Sequence, residues 1–386
     1  MTAADPPTPR RRVVVVAGMH RAGTSVVARA LQVLGFDLGD ALMSADVRQN
    51  ARGFFEDVDI VALDDALLDA QGADWKSVAL LGGVDWNGAT HAAARGRAPR
   101  LLEAKLARTG SFAFKDPRVS RLLPIWQHVF ADMKVDDAYV IAVRHPLAVI
   151  DSLTARDGLD FRRSGWLWAA HLVCALWFTQ GRPRIVVDYD RLLAAPAREL
   201  ARMATMLGVP GTRLGGTEAN AYAHAFLAAD LRHAQYAPDV LAAAGGLPLV
   251  ADVHRLVQRL ACDEVDAGAE SLIEAIGVLR ERLECFAPLL AYAGDVERAA
   301  DLVPRLEGEL AWARASLAAA TTYNEDLIQR LERQRLEKVD AQAYIGGLEA
   351  ALERKEAELV AAHAMLARIG DRVVGRMLLR AIERGR

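Results

Sequence analysis

The chain has 386 residues, of which 52% are hydrophobic and 25% are charged, and its formal net charge is −3 at pH 7. This length exceeds one ordinary domain, and the apolar content excludes a disordered chain. A nearly neutral balance gives no general attraction to nucleic acid or to an anionic membrane. Any affinity for phosphate must therefore come from a local cluster of cations.

Cysteine usage and the amino terminus favour a protein that stays in the cytoplasm. Cys174, Cys262 and Cys285 form an odd set without paired spacing, which is typical of reduced thiols, and no metal site is indicated. Residues 1–11 form a Pro-rich flexible arm, and the apolar run after it is too short for the core of a signal peptide. No apolar run in the sequence is long enough to cross a membrane.

The stretch from Arg12 to Leu34 predicts a strand, a tight loop and a helix. Val13 to Val16 are consecutive β-branched residues, Gly18 and Gly23 bound the loop, and an apolar helical pattern follows. Glycines at this spacing let backbone N–H groups and the positive end of the helix meet one anion. The spacing is typical of a phosphate-binding loop, although on its own it also suits a glycine turn that binds nothing.

Thr24 stands where such a loop in an ATP- or GTP-binding protein has a lysine that reaches the β and γ phosphates. Its absence argues against a nucleoside triphosphate and favours a ligand with a single 5′ phosphate. Arg21 supplies a cation earlier in the loop. A nucleotide kinase-like P-loop enzyme remains an alternative.

Three more short apolar strands alternate with helical patterns downstream. They are predicted at Phe112–Phe114, Ala138–Val143 and Arg184–Val187. This alternation favours an α/β fold, a doubly wound parallel sheet with helices on both faces. The carboxyl ends of such strands lie at the crevice where ligands bind.

Cationic residues follow two of these strands directly. Lys115 begins a Lys-Asp-Pro turn after the second strand. Arg144 ends the third strand, and Pro146 opens the next helix. That helix carries Ser152 and Arg156 on one face. We expect Lys115, and Arg118 beyond the turn, to face the same side as the glycine loop.

Glu56 stands near the start of a predicted helix whose apolar face carries Ile60, Leu63 and Leu67. An acid at such a place is either a partner of the helix dipole or a general base. Residues 72–98 follow this helix, are rich in glycine, and predict an irregular lid or acceptor-binding loop.

The motifs MHRAGTS, KDP and RHPLAVIDSLTAR, with a Tyr-Asp pattern after the fourth strand, resemble bacterial sulfotransferases that use 3′-phosphoadenosine-5′-phosphosulfate (PAPS). There is also local similarity to tyrosylprotein sulfotransferases. The resemblance covers residues 12–213 and implies a P-loop-like domain with PAPS as donor. It implies these ligand contacts: His20, Arg21, Ala22, Gly23, Thr24 and Ser25 at the 5′-phosphosulfate, Arg144, Ser152 and Arg156 at the 3′ phosphate, and Tyr189 at the nucleotide.

The same resemblance implies catalytic roles for Arg21, Glu56 and Lys115 and requires no metal. Arg21 and Lys115 would stabilise the leaving phosphate, and Glu56 would accept the proton of an acceptor hydroxyl. His20 and the aspartates near Glu56 are other candidates for the base. By analogy with bacterial members, the acceptor is expected to be a carbohydrate or glycolipid. A non-catalytic nucleotide-fold scaffold, assembled by the carboxyl-terminal half, is a further alternative.

Beyond Gly215 the sequence predicts only helices. Residues 214–297 are expected to form a helical region. Residues 298–367 predict a coiled coil, because apolar residues recur at seven-residue intervals from Val303 to Leu366, interrupted by Asn324 and Lys338. Asn324 in this seam suits a parallel homodimer, whereas an antiparallel or intramolecular partner stays open. The pair Gly346 and Gly347 predicts a weak joint.

The tail, residues 368–386, predicts a basic amphipathic helix. One face carries Arg368, Arg372, Arg376, Arg380 and Arg384. Such a face could bind the inner surface of an anionic membrane or a partner such as a glycan-assembly enzyme. Packing on the protein's own dimer is the other interpretation.

Overall fold

A computed structural model of the chain describes residues 11–45, 53–78, 84–86, 88–227, 236, 247–266, 268–371, 377 and 380–383. It divides the chain into two compact units, Met1–Arg298 and Ala299–Arg386. Most of the predicted amino-terminal arm and most of the basic tail lie outside the described residues, including Arg372, Arg376 and Arg384.

Four parallel strands form one sheet in the order β2-β1-β3-β4. They are β1 Arg12–Ala17, β2 Ser111–Lys115, β3 Asp136–Val143 and β4 Arg184–Asp188. Val14 in β1 lies beside Ala113 of β2 and Ala138 of β3. All four predicted strands and the predicted α/β fold are confirmed, and each strand is slightly longer than predicted.

Helices connect and flank the strands. They are α1 Thr24–Val33, α2 Val58–Asp69, α3 Ala92–Thr109, α4 Val119–Asp132, α5 Pro146–Asp157, α6 Phe161–Phe178, α7 Tyr189–Ala194, α8 Pro196–Leu207, α9 Thr217–Ala221, α10 Pro248–Ala261, α11 Glu270–Cys285 and α12 Ala287–Asp371. The prediction of an irregular region over residues 72–98 is wrong for residues 92–98, since α3 begins at Ala92. The Ala-rich start of α3 favours a helix, and Ala98, Leu102 and Leu106 bury one face of it.

The sheet is buried on both faces because its side chains alternate between two core layers. Val13 and Val15 point into one apolar cluster, and Val14 and Val16 into the other. The first cluster also contains residues of α10 and α11. These two helices, which come from the predicted helical region, thus complete the core of the first unit and support the sheet from the side of β4 and α6.

The long helix α12, here called the C-terminal helix, spans 85 residues without a break at Pro304, Gly346 or Gly347. From residue 302 to residue 368 its side chains are exposed, apart from the half-buried Ala351. Its pairing with another helix stays a prediction. Among the described residues, no helix combines the length and the apolar character that crossing a membrane requires.

Candidate functional site

The order of the strands creates a crevice at the carboxyl ends of β1 and β3. The chain leaves β1 toward β2 on one side, whereas β3 and β4 lie on the other side. Loops at such a switch point diverge and leave room for a ligand. The glycine loop, residues 18–23, follows β1, and Arg144 follows β3, so the two predicted anion-binding segments lie on neighbouring strands.

The glycine loop is held tightly against the end of β3. Gly18 has φ 134°, and a Cβ atom there would lie 2.4 Å from the carbonyl oxygen of Ala142. The backbone N–H of Gly18 donates to Ser120 Oγ at 2.8 Å. A Cβ atom on Gly23, which has φ 88°, would lie 2.4 Å from the ring of Tyr189. Both glycines are therefore required by close packing as well as by backbone conformation.

Helix α1 begins at this loop with its first N–H groups turned toward the crevice. Gly23 is its N-cap, and no side chain caps it in the part of the chain that the structure describes. The uncapped N–H groups and the helix dipole together favour an anion at this end of α1.

Arginine side chains gather beside the loop. Arg21, in left-handed conformation with φ 68°, donates from Nε to Ser152 Oγ on α5 at 2.8 Å. The guanidinium of Arg144 lies 4.6 Å from the ring centre of Tyr189, and its Nη1 is 3.5 Å from the carbonyl oxygen of Arg21. The structure thus brings Arg21, Arg144, Ser152 and Tyr189 together, and Arg21 links the two expected phosphate pockets.

The arginine cluster carries an excess of positive charge. Burial, together with the charges of Arg156 and Arg144, lowers the pKa of Arg21. Arg156 is paired with Asp157, with 2.6 Å between Nε and Oδ2. Arg144 is 7% exposed, its Nε is buried without a hydrogen-bond partner, and it has no carboxylate partner among the described residues. The buried Nε of Arg144, close to the guanidinium groups of Arg21 and Arg156, favours an anion beside it.

A second cluster joins Lys115, at the end of β2, to the segment before α2. Lys115 Nζ is ion-paired with Glu56 Oε1 and donates to the carbonyl oxygen of Phe54 at 3.0 Å. It also lies 3.4 Å from the hydroxyl of Ser25, which itself donates to the same carbonyl at 3.1 Å. The exposed fractions are 3% for Lys115 and 5% for Glu56. A buried lysine and a carboxylate thus lie beside the glycine loop.

Glu56 lies immediately before the N-cap of helix α2, not in its first turn. The N-cap is Asp57, whose side chain accepts from the backbone N–H groups of Asp59 and Ile60. Asp57 is also paired with Lys105 at 2.6 Å, so it serves the structure and is unsuited to act as the base. Backbone turns with positive φ at Gly53 and Phe55 direct the Phe54 carbonyl and the Glu56 carboxylate to one side.

His20 lies at the rim of the site as a neutral ring. Burial, followed by the nearby charge of Arg118, lowers its pKa well below the usual range for histidine. Its Nε2 is buried without a hydrogen-bond partner. The ring centre is 4.4 Å from that of Trp75, and the Arg156 guanidinium lies 5.2 Å from the Trp75 ring. Trp75 lies within the predicted lid, residues 72–98, but no motif or spacing indicates its contact with His20.

Behind Lys115, Arg118 is held by carboxylates and is not a free cation that faces the glycine loop. It is paired with Asp116 at 2.9 Å and with Asp65 at 2.6 Å. The buried carboxyl of Asp64 accepts from Trp126 Nε1 at 2.8 Å. Burial and the neighbouring Asp116 raise the pKa of Asp64 well above the usual range for a carboxyl, so Asp64 is held as the neutral acid.

Comparison with known proteins gives a weak result. No family model matches the chain, and no curated protein does. Among solved structures, the chain is similar to the sulfotransferase domain of the olefin synthase from Synechococcus PCC 7002, with 18% sequence identity and a TM-score of 0.32. The match covers 68% of this chain and 98% of that domain. A match at this level does not establish a shared function, which must be argued from the residues of the site.

Proposed function

We propose that the protein is a PAPS-dependent sulfotransferase that moves a sulfuryl group to an acceptor hydroxyl. The observation that carries the proposal is the pair of anion-binding features on neighbouring strands. One is the uncapped start of α1, and the other is the cluster of Arg21, Arg144 and Arg156. An adenosine with phosphates at both its 5′ and 3′ positions would fill both.

The residues present fit such a ligand. Residues 20–25, from the glycine loop into the first turn of α1, would hold the 5′-phosphosulfate through backbone N–H groups and the hydroxyls of Thr24 and Ser25. Arg144, Ser152 and Arg156 would hold the 3′ phosphate, since guanidinium groups bind phosphate through two parallel hydrogen bonds. The orphaned Nε of Arg144 supports this assignment. Tyr189 packs against Gly23 and Arg144 and would hold these two residues in position.

The second cluster supplies the groups that transfer requires. The donor provides the sulfuryl group: its sulfur forms a new bond to the acceptor oxygen and breaks its bond to the phosphate oxygen, releasing adenosine 3′,5′-bisphosphate. Glu56 would take the hydroxyl proton, and Lys115 and Arg21 would stabilise negative charge on the leaving phosphate. Lys115 and Glu56 are paired in the structure. Transfer of Lys115 from Glu56 to the phosphate would leave the carboxylate free as base.

The acceptor is proposed to be a carbohydrate or glycolipid hydroxyl, by analogy with bacterial sulfotransferases. The nucleotide that the protein prefers to bind distinguishes two other functions from this proposal. A nucleotide kinase would bind ATP with magnesium in preference to the bisphosphate. A scaffold without catalytic function would bind neither tightly.

Calorimetric titration of the full chain with three nucleotides tests the proposal. We expect adenosine 3′,5′-bisphosphate to bind at least about 100-fold more tightly than adenosine 5′-phosphate, since the second phosphate adds charge-assisted hydrogen bonds. We also expect it to bind more tightly than ATP with magnesium. Preference for ATP with magnesium, or equal affinity for the two adenosine phosphates, would overturn the proposal.

A further inference from the structure

The C-terminal helix exposes an apolar seam that Asn324, Gln334, Lys338 and Lys355 interrupt. The exposed fraction is 50% for Leu310, 56% for Leu331 and 61% for Leu352. These residues belong to one position of the heptad, and alanines such as Ala341 occupy the companion position three residues later in several heptads. A seam of this kind leaves a helix amphipathic and is stable when a second helix covers it.

Length indicates what covers the seam. From Val303 to Leu366 the helix extends about 95 Å. A globular unit of 298 residues has a radius of gyration of about 19 Å, which corresponds to a diameter of about 50 Å. The chain's own globular unit is therefore too small to cover the seam. The same helix of a second copy has the required length and pattern.

Charge then decides the orientation of the two helices. In a parallel pair in register, each seam residue meets its own counterpart. Lys338 would meet the partner's Lys338, and Lys355 would meet the partner's Lys355. At the flank, Arg330 would face the partner's Arg335. The favourable contacts of the parallel pair are those of Asn324 with the partner's Asn324 and of Glu309 with the partner's Arg314.

In an antiparallel pair whose two-fold axis crosses the helices at the level of Leu336, the lysines of the seam no longer meet each other. Lys338 then faces the partner's Gln334. Lys355 faces the partner's Leu317, while its Nζ bonds Glu358 of its own helix at 2.6 Å, outside the seam. At the flanks, Arg314 faces the partner's Glu356, and symmetry repeats this contact.

Side-chain volumes agree with the antiparallel register. Leu331 faces the partner's Ala341, and Leu310 and Leu352 also face alanines, so large residues lie opposite small ones. The unfavourable contacts are Asn324 and Lys355 against the partner's Leu348 and Leu317 in the seam, and Arg335 and Glu337 beside their own counterparts at the exposed flanks. Each is milder than a lysine pair inside the seam, where solvent screens charge less.

We propose that the C-terminal helix forms an antiparallel two-stranded coiled coil with the same helix of a second copy of this chain, in the register that pairs Arg314 with the partner's Glu356. The inference is independent of the proposed enzymatic function. It rests on the exposed seam, the length of the helix and the placement of its charges.

Sedimentation equilibrium of the full chain, with charge-reversal variants, tests the orientation. Arg314→Glu and Glu356→Arg should each raise the dimer dissociation constant about tenfold, because each variant replaces two attractions by two repulsions. The double variant R314E/E356R should return to within about threefold of the wild type, since the pairs are restored with reversed sign.

The matched control is R314E/E309R, which exchanges the charges that would meet in a parallel pair. In the antiparallel register this variant should stay as weak as Arg314→Glu alone. Restoration by the Glu309 exchange instead of the Glu356 exchange would overturn the antiparallel register. A wild-type chain that is monomeric at 100 μM, or one that forms trimers or tetramers, would overturn the proposal as a whole. Far-ultraviolet circular dichroism checks that every variant remains helical.

Discussion

At the level of single residues, Asp64 is a buried carboxyl beside the site whose pKa the fold raises. It is fully buried on α2, accepts from Trp126, and has Asp116 as a neighbour. Both carboxyls have one buried oxygen, Oδ2, without a hydrogen-bond partner. One proton between the two carboxyls would give both oxygens a partner and would tie α2, which follows Glu56, to the turn that follows Lys115.

This arrangement predicts a pH dependence of stability. The folded pKa of Asp64 is raised, so above about pH 4 the unfolded chain releases a proton that the folded chain keeps. Wild-type stability should fall with rising pH by up to about 1.4 kcal/mol per pH unit from this group, until the folded pKa is reached. Asp64→Asn keeps an acceptor for Trp126 and a donor for Asp116 but cannot titrate.

Urea unfolding from pH 4.5 to pH 8.5 measures this effect. The free energy of unfolding of Asp64→Asn should rise relative to the wild type as pH increases. The exposed Asp69 lies on the same helix, and Asp69→Asn is the matched control for the substitution itself. Parallel curves for the wild type and Asp64→Asn would show that Asp64 is ionised in the folded protein.

At the level of elements, the strand, loop and helix at residues 12–33 form a unit whose geometry depends on Gly18. A Cβ atom at Gly18 would meet the backbone of β3 at 2.4 Å, which flexible side chains cannot relieve. We expect Gly18→Ala to lower the free energy of unfolding by about 2–4 kcal/mol, from strain and from displacement of the loop.

Gly110 provides the control for this prediction. It has φ 71°, but a Cβ atom there would meet nothing within 4 Å. Gly110→Ala should therefore lower the free energy of unfolding by about 1–2 kcal/mol, which is the cost of an alanine in left-handed backbone conformation. Equal losses for the two variants in urea unfolding would mean that the contact with Ala142 does not constrain the loop.

Local patterns predict the elements of this fold well and their contacts poorly. Val13 to Val16, the two loop glycines and Pro146 are short-range signals, and the structure confirms the strand, the loop and the helix start they predict. The start of α3 is missed because glycines nearby mask its Ala-rich first turn. Glu56 precedes α2 instead of joining it, since Asp57 takes the capping position.

At the level of the whole molecule, the candidate site consists of contacts between residues far apart in sequence. Arg21 and Ser152 are 131 positions apart, and Lys115 and Glu56 are 59 apart. Strand order brings them together, and no single motif encodes that order. The sequence motifs could place Arg21 in the glycine loop, Lys115 at a strand end and Ser152 on a helix. The link between Arg21 and Ser152 and the contact of Trp75 with His20 required the structure. The assigned roles of these residues stay predictions.

The central claim is that Arg144 binds a 3′ phosphate while the glycine loop binds the 5′ end of the same nucleotide. Calorimetric titration of the wild type and Arg144→Ala, each with adenosine 3′,5′-bisphosphate and with adenosine 5′-phosphate, tests it most directly. Arg182→Ala, which removes the ion pair with Asp137 at the other end of β3, should bind like the wild type.

We expect Arg144→Ala to weaken binding of the bisphosphate by about tenfold to 100-fold and to change binding of the 5′-phosphate less than about threefold. Equal losses for the two nucleotides, or no loss for the bisphosphate, would contradict the account.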